Sequence, residues 1–124
     1  SSNVHHAFRW QGGKMMDLGI PKGRWTCDTA YSINSRGQIV GDSGICGTNT
    51  TGPSFLWENG TMYNLVSLVM PGSDLTLAGV RRINDHGEIS CQGLTASGDG
   101  HACLLVPLDR ARHEGLLNVT QPKR

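Results

Sequence analysis

Cys27, Cys46, Cys91 and Cys103 are the side chains of this chain whose type and placement could do chemistry most directly. A structural zinc site needs tightly spaced ligand pairs, and no Cys-x-x-Cys occurs, so disulfide formation is the expected chemistry and no metal site is predicted. Cys27 and Cys46 lie at nearly equal distances on either side of the turn at Ser35-Arg36-Gly37, so a hairpin about that turn brings the two sulfurs together at its open end. Cys91 and Cys103 stand at matching places on two neighbouring segments and form the second expected bridge. Each bridge closes a loop of modest length, worth about 3 kcal/mol by chain entropy, and both imply an oxidising compartment.

The remaining reactive residues form no catalytic constellation. His5 and His6 are neighbours, and on a strand neighbours point to opposite faces, so they read as polar strand-edge residues rather than a shared metal pair. His101 and Cys103 share a face two residues apart, which would suit thiol–imidazole chemistry only if the cysteine were free. Asp17, Asp28, Asp42, Asp85 and Glu88 are scattered over different segments, with no spacing that forces two carboxylates together. Among the aromatics, Trp10 and Trp57 share one repeat position and are expected in the core, with Tyr31 and Tyr63 as further possible stacking surfaces. Trp25, in Lys22-Gly23-Arg24-Trp25, lies outside the repeat and is the one candidate ligand-binding residue.

The elements that must position these residues are written as a repeat. Ala7-Phe8-Arg9-Trp10 returns as Ser54-Phe55-Leu56-Trp57, 47 residues on. Ile33-Asn34-Ser35-Arg36-Gly37-Gln38-Ile39 returns as Ile83-Asn84-Asp85-His86-Gly87-Glu88-Ile89, 50 residues on. A period of this size suits a unit of about four short strands. Asn at the first turn position and Gly at the last predict the same fold-back in both copies. A second turn falls at Gln11-Gly12-Gly13 and at Glu58-Asn59-Gly60, where Gly and Asn accept positive φ. A third copy opens at His101-Ala102-Cys103-Leu104-Leu105, and a brief helical turn is expected near residues 65–69.

These motifs resemble the HAF-repeat family, bacterial proteins described as probable extracellular repeat proteins, whose units read roughly His-Ala-Phe-Leu-Trp, Met-x-Asp-Leu-Gly and Gly-Ile-Asn-x-x-Gly-Gln-Val-Val-Gly. His6-Ala7-Phe8-Arg9-Trp10 with Met16-Asp17-Leu18-Gly19 matches the first part, and Tyr31-Ser32-Ile33-Asn34 with Gly37-Gln38-Ile39-Val40-Gly41 the second. Cys91 and Cys103 depart from it, standing where the family has Gly and Phe. The resemblance implies an extracellular or periplasmic repeat protein and carries over no activity.

Composition agrees with a β-protein built on turns: 17 glycines, and only 17% charged residues. Lys and Arg number 11 against 10 Asp and Glu, for a formal charge of +1, which gives no electrostatic basis for binding nucleic acid. No run of about 18 apolar residues is present to cross a bilayer, so no membrane insertion is expected. Ser1-Ser2-Asn3-Val4 lacks the charged-then-apolar pattern of a leader, as expected for an exported protein whose signal peptide is absent.

The expected architecture is all-β: antiparallel hairpin repeats packed like propeller blades, two to three per chain, over residues 1–108, followed by a tail or short helix over 109–124. Too few blades to close a ring predict a homo-oligomer, a dimer or trimer, in which the hairpin Ala7–Leu18 of one chain completes a three-stranded last unit, Val80–Val106, of another. With no catalytic set and no cofactor implied, the expected function is a non-enzymatic binding or structural module with a carbohydrate or protein ligand. The alternative is a propeller-type hydrolase or lyase, which requires residues such as Asp85, His86 and His101 to converge in one cleft.

Overall fold

The computed structural model describes residues 4–70, 72, 74–108 and 117–120. Along them run β1 (Phe8–Gln11), β2 (Lys14–Asp17), β3 (Cys27–Ile33), β4 (Ile39–Gly44), β5 (Thr51–Glu58), β6 (Thr61–Asn64), β7 (Thr76–Ile83), β8 (Ile89–Leu94), β9 (Gly100–Pro107) and β10 (Leu117–Thr120). One 3-10 turn, Leu65–Leu68, lies where the helical turn was expected, started by the Asn64 side chain accepting from the Val66 amide. The strands form three antiparallel sheets: the hairpin β1-β2, a middle sheet β3-β4-β5-β6 and a last sheet β7-β8-β9-β10. The chain is all-β and its two four-stranded meanders are blade-like, as the repeat predicts.

Because successive side chains alternate across a strand, each sheet offers two faces. Ile39, Phe55 and Trp57 of the middle sheet pack with Ala7 and Leu18 of the N-terminal hairpin. Val40 and Leu56, on the opposite face, pack with Ile89, Cys91, Cys103 and Leu105 of the last sheet. The middle sheet is therefore buried on both sides, which is why burial runs nearly unbroken along β4 and through the second half of β5 instead of alternating.

The repeat is also exact in register at its centre. Gly41 pairs with Phe55 and Ile39 with Trp57; Cys91 pairs with Cys103 and Ile89 with Leu105. A Cβ at Gly41 would overlap the Thr29 carbonyl oxygen and lie 2.7 Å from the Phe55 ring. The middle sheet thus fills this spot with one large ring over a glycine. The last sheet fills it with two half-sized side chains joined covalently, and both of its sulfurs are buried.

Three expectations are corrected. Residues 117–120, expected within a tail or short helix, form β10 and pair with β9, so the last blade has four strands; residues 109–116 and 121–124 lie outside the described residues. Because β10 occupies the outer edge of β9, that edge is not open to a hairpin from another chain. Trp10 is not core: it is 63% exposed, against 3% for Trp57. Trp57 is covered by the hairpin in front of it, and among the described residues nothing packs in front of Trp10.

Candidate functional site

The two blades stack with their equivalent turns side by side, and the Asn of each turn organises it. Asn34 Oδ1 accepts from the amides of Arg36 and Gln38, at 3.1 and 3.0 Å, while its Nδ2 donates to Gln38 Oε1 at 2.6 Å. Asn84 repeats the pattern with the amides of His86 and Glu88 and with Glu88 Oε1, at 3.0, 2.9 and 2.9 Å. Gly37 and Gly87 close these turns at φ of 80° and 78°, a conformation other residues rarely adopt. The turns then bond to each other: Asn34 Nδ2 donates to the Asn84 carbonyl at 3.0 Å, and Asp85 Oδ1 accepts from the Ser35 amide at 2.8 Å. The Ser35 N–H holds the Asp85 carboxyl below its usual range.

Between these turns, the β5–β6 turn and the start of β10 opens a cleft of about 640 Å³. Its floor is apolar, from Leu56, Ile83, Ile89 and Leu117, and its walls carry Arg36, Gln38, Glu58, Asn59, Tyr63 and His86. Gln38 is central to the polar side: its Nε2 donates to Glu58 Oε1 at 3.2 Å, and its Oε1 accepts from Arg36 at 3.1 Å. The result is a row of donors and acceptors beside a tyrosine ring, held by turns that the neighbouring blade braces.

Comparison with protein-family models, with curated proteins and with solved structures finds no match.

Both cysteine pairs are disulfide-bonded, Cys27 to Cys46 and Cys91 to Cys103, with Cα–Cα distances of 5.2 and 5.0 Å. Cys103 therefore holds no thiol for His101 to activate. His5, Cys27 and Cys46 bring their ligating atoms within 4.8 Å of one another, but both sulfurs are committed to the bond between them. His5 is tied by its backbone to β3, its amide donating to the Thr26 carbonyl at 2.8 Å. His6 instead meets Asp17, Nδ1 to Oδ2 at 2.6 Å. The Gly19 amide and His6 together lower the Asp17 pKa.

Of the residues on which an acid/base site would depend, only His86 lines the cleft; Asp85 and His101 do not. Trp25, the candidate from sequence, also lies outside it. Its half-buried ring packs on Gly52 at the start of β5, with the Arg24 guanidinium 5.6 Å from the ring centroid. Asp28 is the buried acid that spacing did not single out. It faces Ser43 across the β3–β4 ladder, and neither side chain makes a hydrogen bond of good geometry. Burial pushes its pKa up to about 6, partly offset by the nearby Ser43 hydroxyl.

The cleft residues Arg36, Gln38 and Glu58 were not singled out from sequence. A usable signal was present: Gln38 follows its turn Asn by four residues, and Glu58 directly precedes Asn59-Gly60. Both therefore sit at turn ends, which stacked hairpins gather on one rim.

Proposed function

We propose that this protein is a non-enzymatic binding module of an extracellular or periplasmic compartment, and that its ligand is a neutral carbohydrate held in the inter-blade cleft. The observation that carries this reading is the composition of the cleft wall: side-chain amides, a guanidinium and a carboxylate beside the Tyr63 ring, over an apolar floor. Sugars need that combination, because their hydroxyls demand paired donors and acceptors while their C–H faces stack on aromatic rings. The near-balanced charge fits an uncharged ligand better than a polyanion. Two disulfides are compatible with an oxidising setting, and among the described residues no helix is long and apolar enough to cross a membrane.

The test is calorimetric titration with a panel of neutral oligosaccharides. Binding should weaken at least tenfold in Tyr63→Ala and in Glu58→Gln and stay unchanged in Trp25→Phe. Equal affinity of all three variants with the parent chain, or no heat with any oligosaccharide, rejects the cleft as a sugar site.

A further inference from the structure

The N-terminal hairpin has the sequence of an outer blade hairpin, but among the described residues no inner strands lie beside it as they do beside the other outer hairpins. β5 is held on its inner edge by β4, and β9 by β8; among the described residues β1 pairs with β2 alone. The open edge of β1 borders a groove of about 340 Å³ with Phe8 and Trp10 on one side and Tyr31 and Ile33 of β3 on the other. Ile33 is 55% exposed, whereas its repeat mate Ile83 is 6% exposed. Ile83 is covered because the inner strands of the preceding blade lie against β7, with the Ile83 amide donating to Ser32 Oγ at 3.1 Å. For Ile33 the corresponding strands would be those of the first blade, the ones not found beside β1 among the described residues.

We propose that this groove receives an inner β-hairpin of the chain's own repeat type, joined ahead of Val4, which completes the first blade. The register of the two complete blades specifies its chemistry. A residue equivalent to Ile39 pairs with Trp10, and a glycine or other small residue pairs with Phe8, as Ile39 pairs with Trp57 and Gly41 with Phe55.

A second copy of the chain is the weaker occupant, because both of its inner hairpins, β3–β4 and β7–β8, are already paired into four-stranded sheets.

The 47-residue offset makes Thr51 the equivalent of Val4, so residues 20–50 placed directly ahead of Val4 supply the missing hairpin in register. In that extended chain the amides of β1 should exchange with deuterium at least tenfold more slowly than in the 124-residue chain. Its Tm should rise by several degrees, and an added hairpin carrying Asp at the Ile39-equivalent position should reverse both effects. Unchanged β1 exchange on adding the unaltered hairpin overturns the proposal. So does slow β1 exchange in the 124-residue chain accompanied by a dimer mass in native mass spectrometry, since a second copy would then occupy the groove. Neither readout depends on sugar binding at the inter-blade cleft.

Discussion

At the scale of single residues, Asn34 and Asp28 show opposite uses of a buried polar group. Asn34 is 8% exposed and satisfied by four hydrogen bonds, one of which crosses to the next blade. Asn84 has the same turn role but is exposed. Asn34→Ala should therefore cost about 2 kcal/mol in urea denaturation, because it strands partly buried backbone donors and removes the bond to the next blade, and Asn84→Ala about 1 kcal/mol. Asp28 is buried without good partners, and desolvation moves its pKa from 3.8 up to about 6 in the folded chain. Between those two values the folded state holds a proton that the unfolded state has lost, so the contribution of Asp28 to stability falls as pH rises through that window and then levels off. Asp17, whose pKa is lowered, works in the opposite sense at lower pH, its contribution fading as the carboxylate is protonated. Asp28→Asn should flatten the fall between pH 4 and 6 and raise the urea midpoint at pH 7. A variant that follows the parent pH profile would show that the Asp28 carboxyl is not the cause.

At the scale of elements, the informative comparison is the paired position Gly41–Phe55 in one blade and Cys91–Cys103 in the next. Both fill the same space between sheets, and each pair works as a unit. Gly41→Ala places a methyl group against the Thr29 carbonyl and the Phe55 ring; overpacking of this kind typically costs about 1–3 kcal/mol, and the thermal midpoint should report it. Replacing Cys91 and Cys103 together by Ala should cost about 3 kcal/mol through the lost cross-link. Placing Gly at 91 and Phe at 103 should recover part of that loss by restoring the packing of the middle blade. If the Gly–Phe pair is no better than the Ala pair, the two blades do not solve the same packing problem. The pairing was legible from sequence because strand register keeps equivalent positions opposite one another. The exposure of Trp10 was not legible. Its repeat mate Trp57 has closely similar local sequence signals, and the two differ in which strands and sheets lie beside and in front of them.

At the scale of the whole molecule, stability is distributed unevenly. The middle blade is packed on both faces, whereas the N-terminal hairpin is a two-stranded sheet anchored through Ala7, Leu18 and the His5–Cys27 bridge. Isolated two-stranded hairpins are marginal in water. In the 124-residue chain, β1 and β2 should therefore lose amide protection first, while β4 and β5 exchange only through global unfolding. Hydrogen-exchange mass spectrometry checks this directly, and equal protection of both regions would count against it. The cleft is also a whole-molecule feature, because its two walls belong to turns 50 residues apart, joined by bonds such as Asn34 to Asn84.

The sequence by itself determined the all-β class, the hairpin turns, the repeat period and the partners of both disulfides. Each follows from local rules: φ preferences at Asn and Gly, alternation along strands, and register counted outward from a turn. Only the tertiary structure decided that Trp10 is exposed and Trp57 buried, that Trp25 packs on Gly52, and that residues 117–120 close the last sheet. It alone also gathered Arg36, Gln38, Glu58 and His86 around one cleft. These outcomes depend on which blade lies in front of which, and burial is a property of neighbours in space, which no local signal encodes.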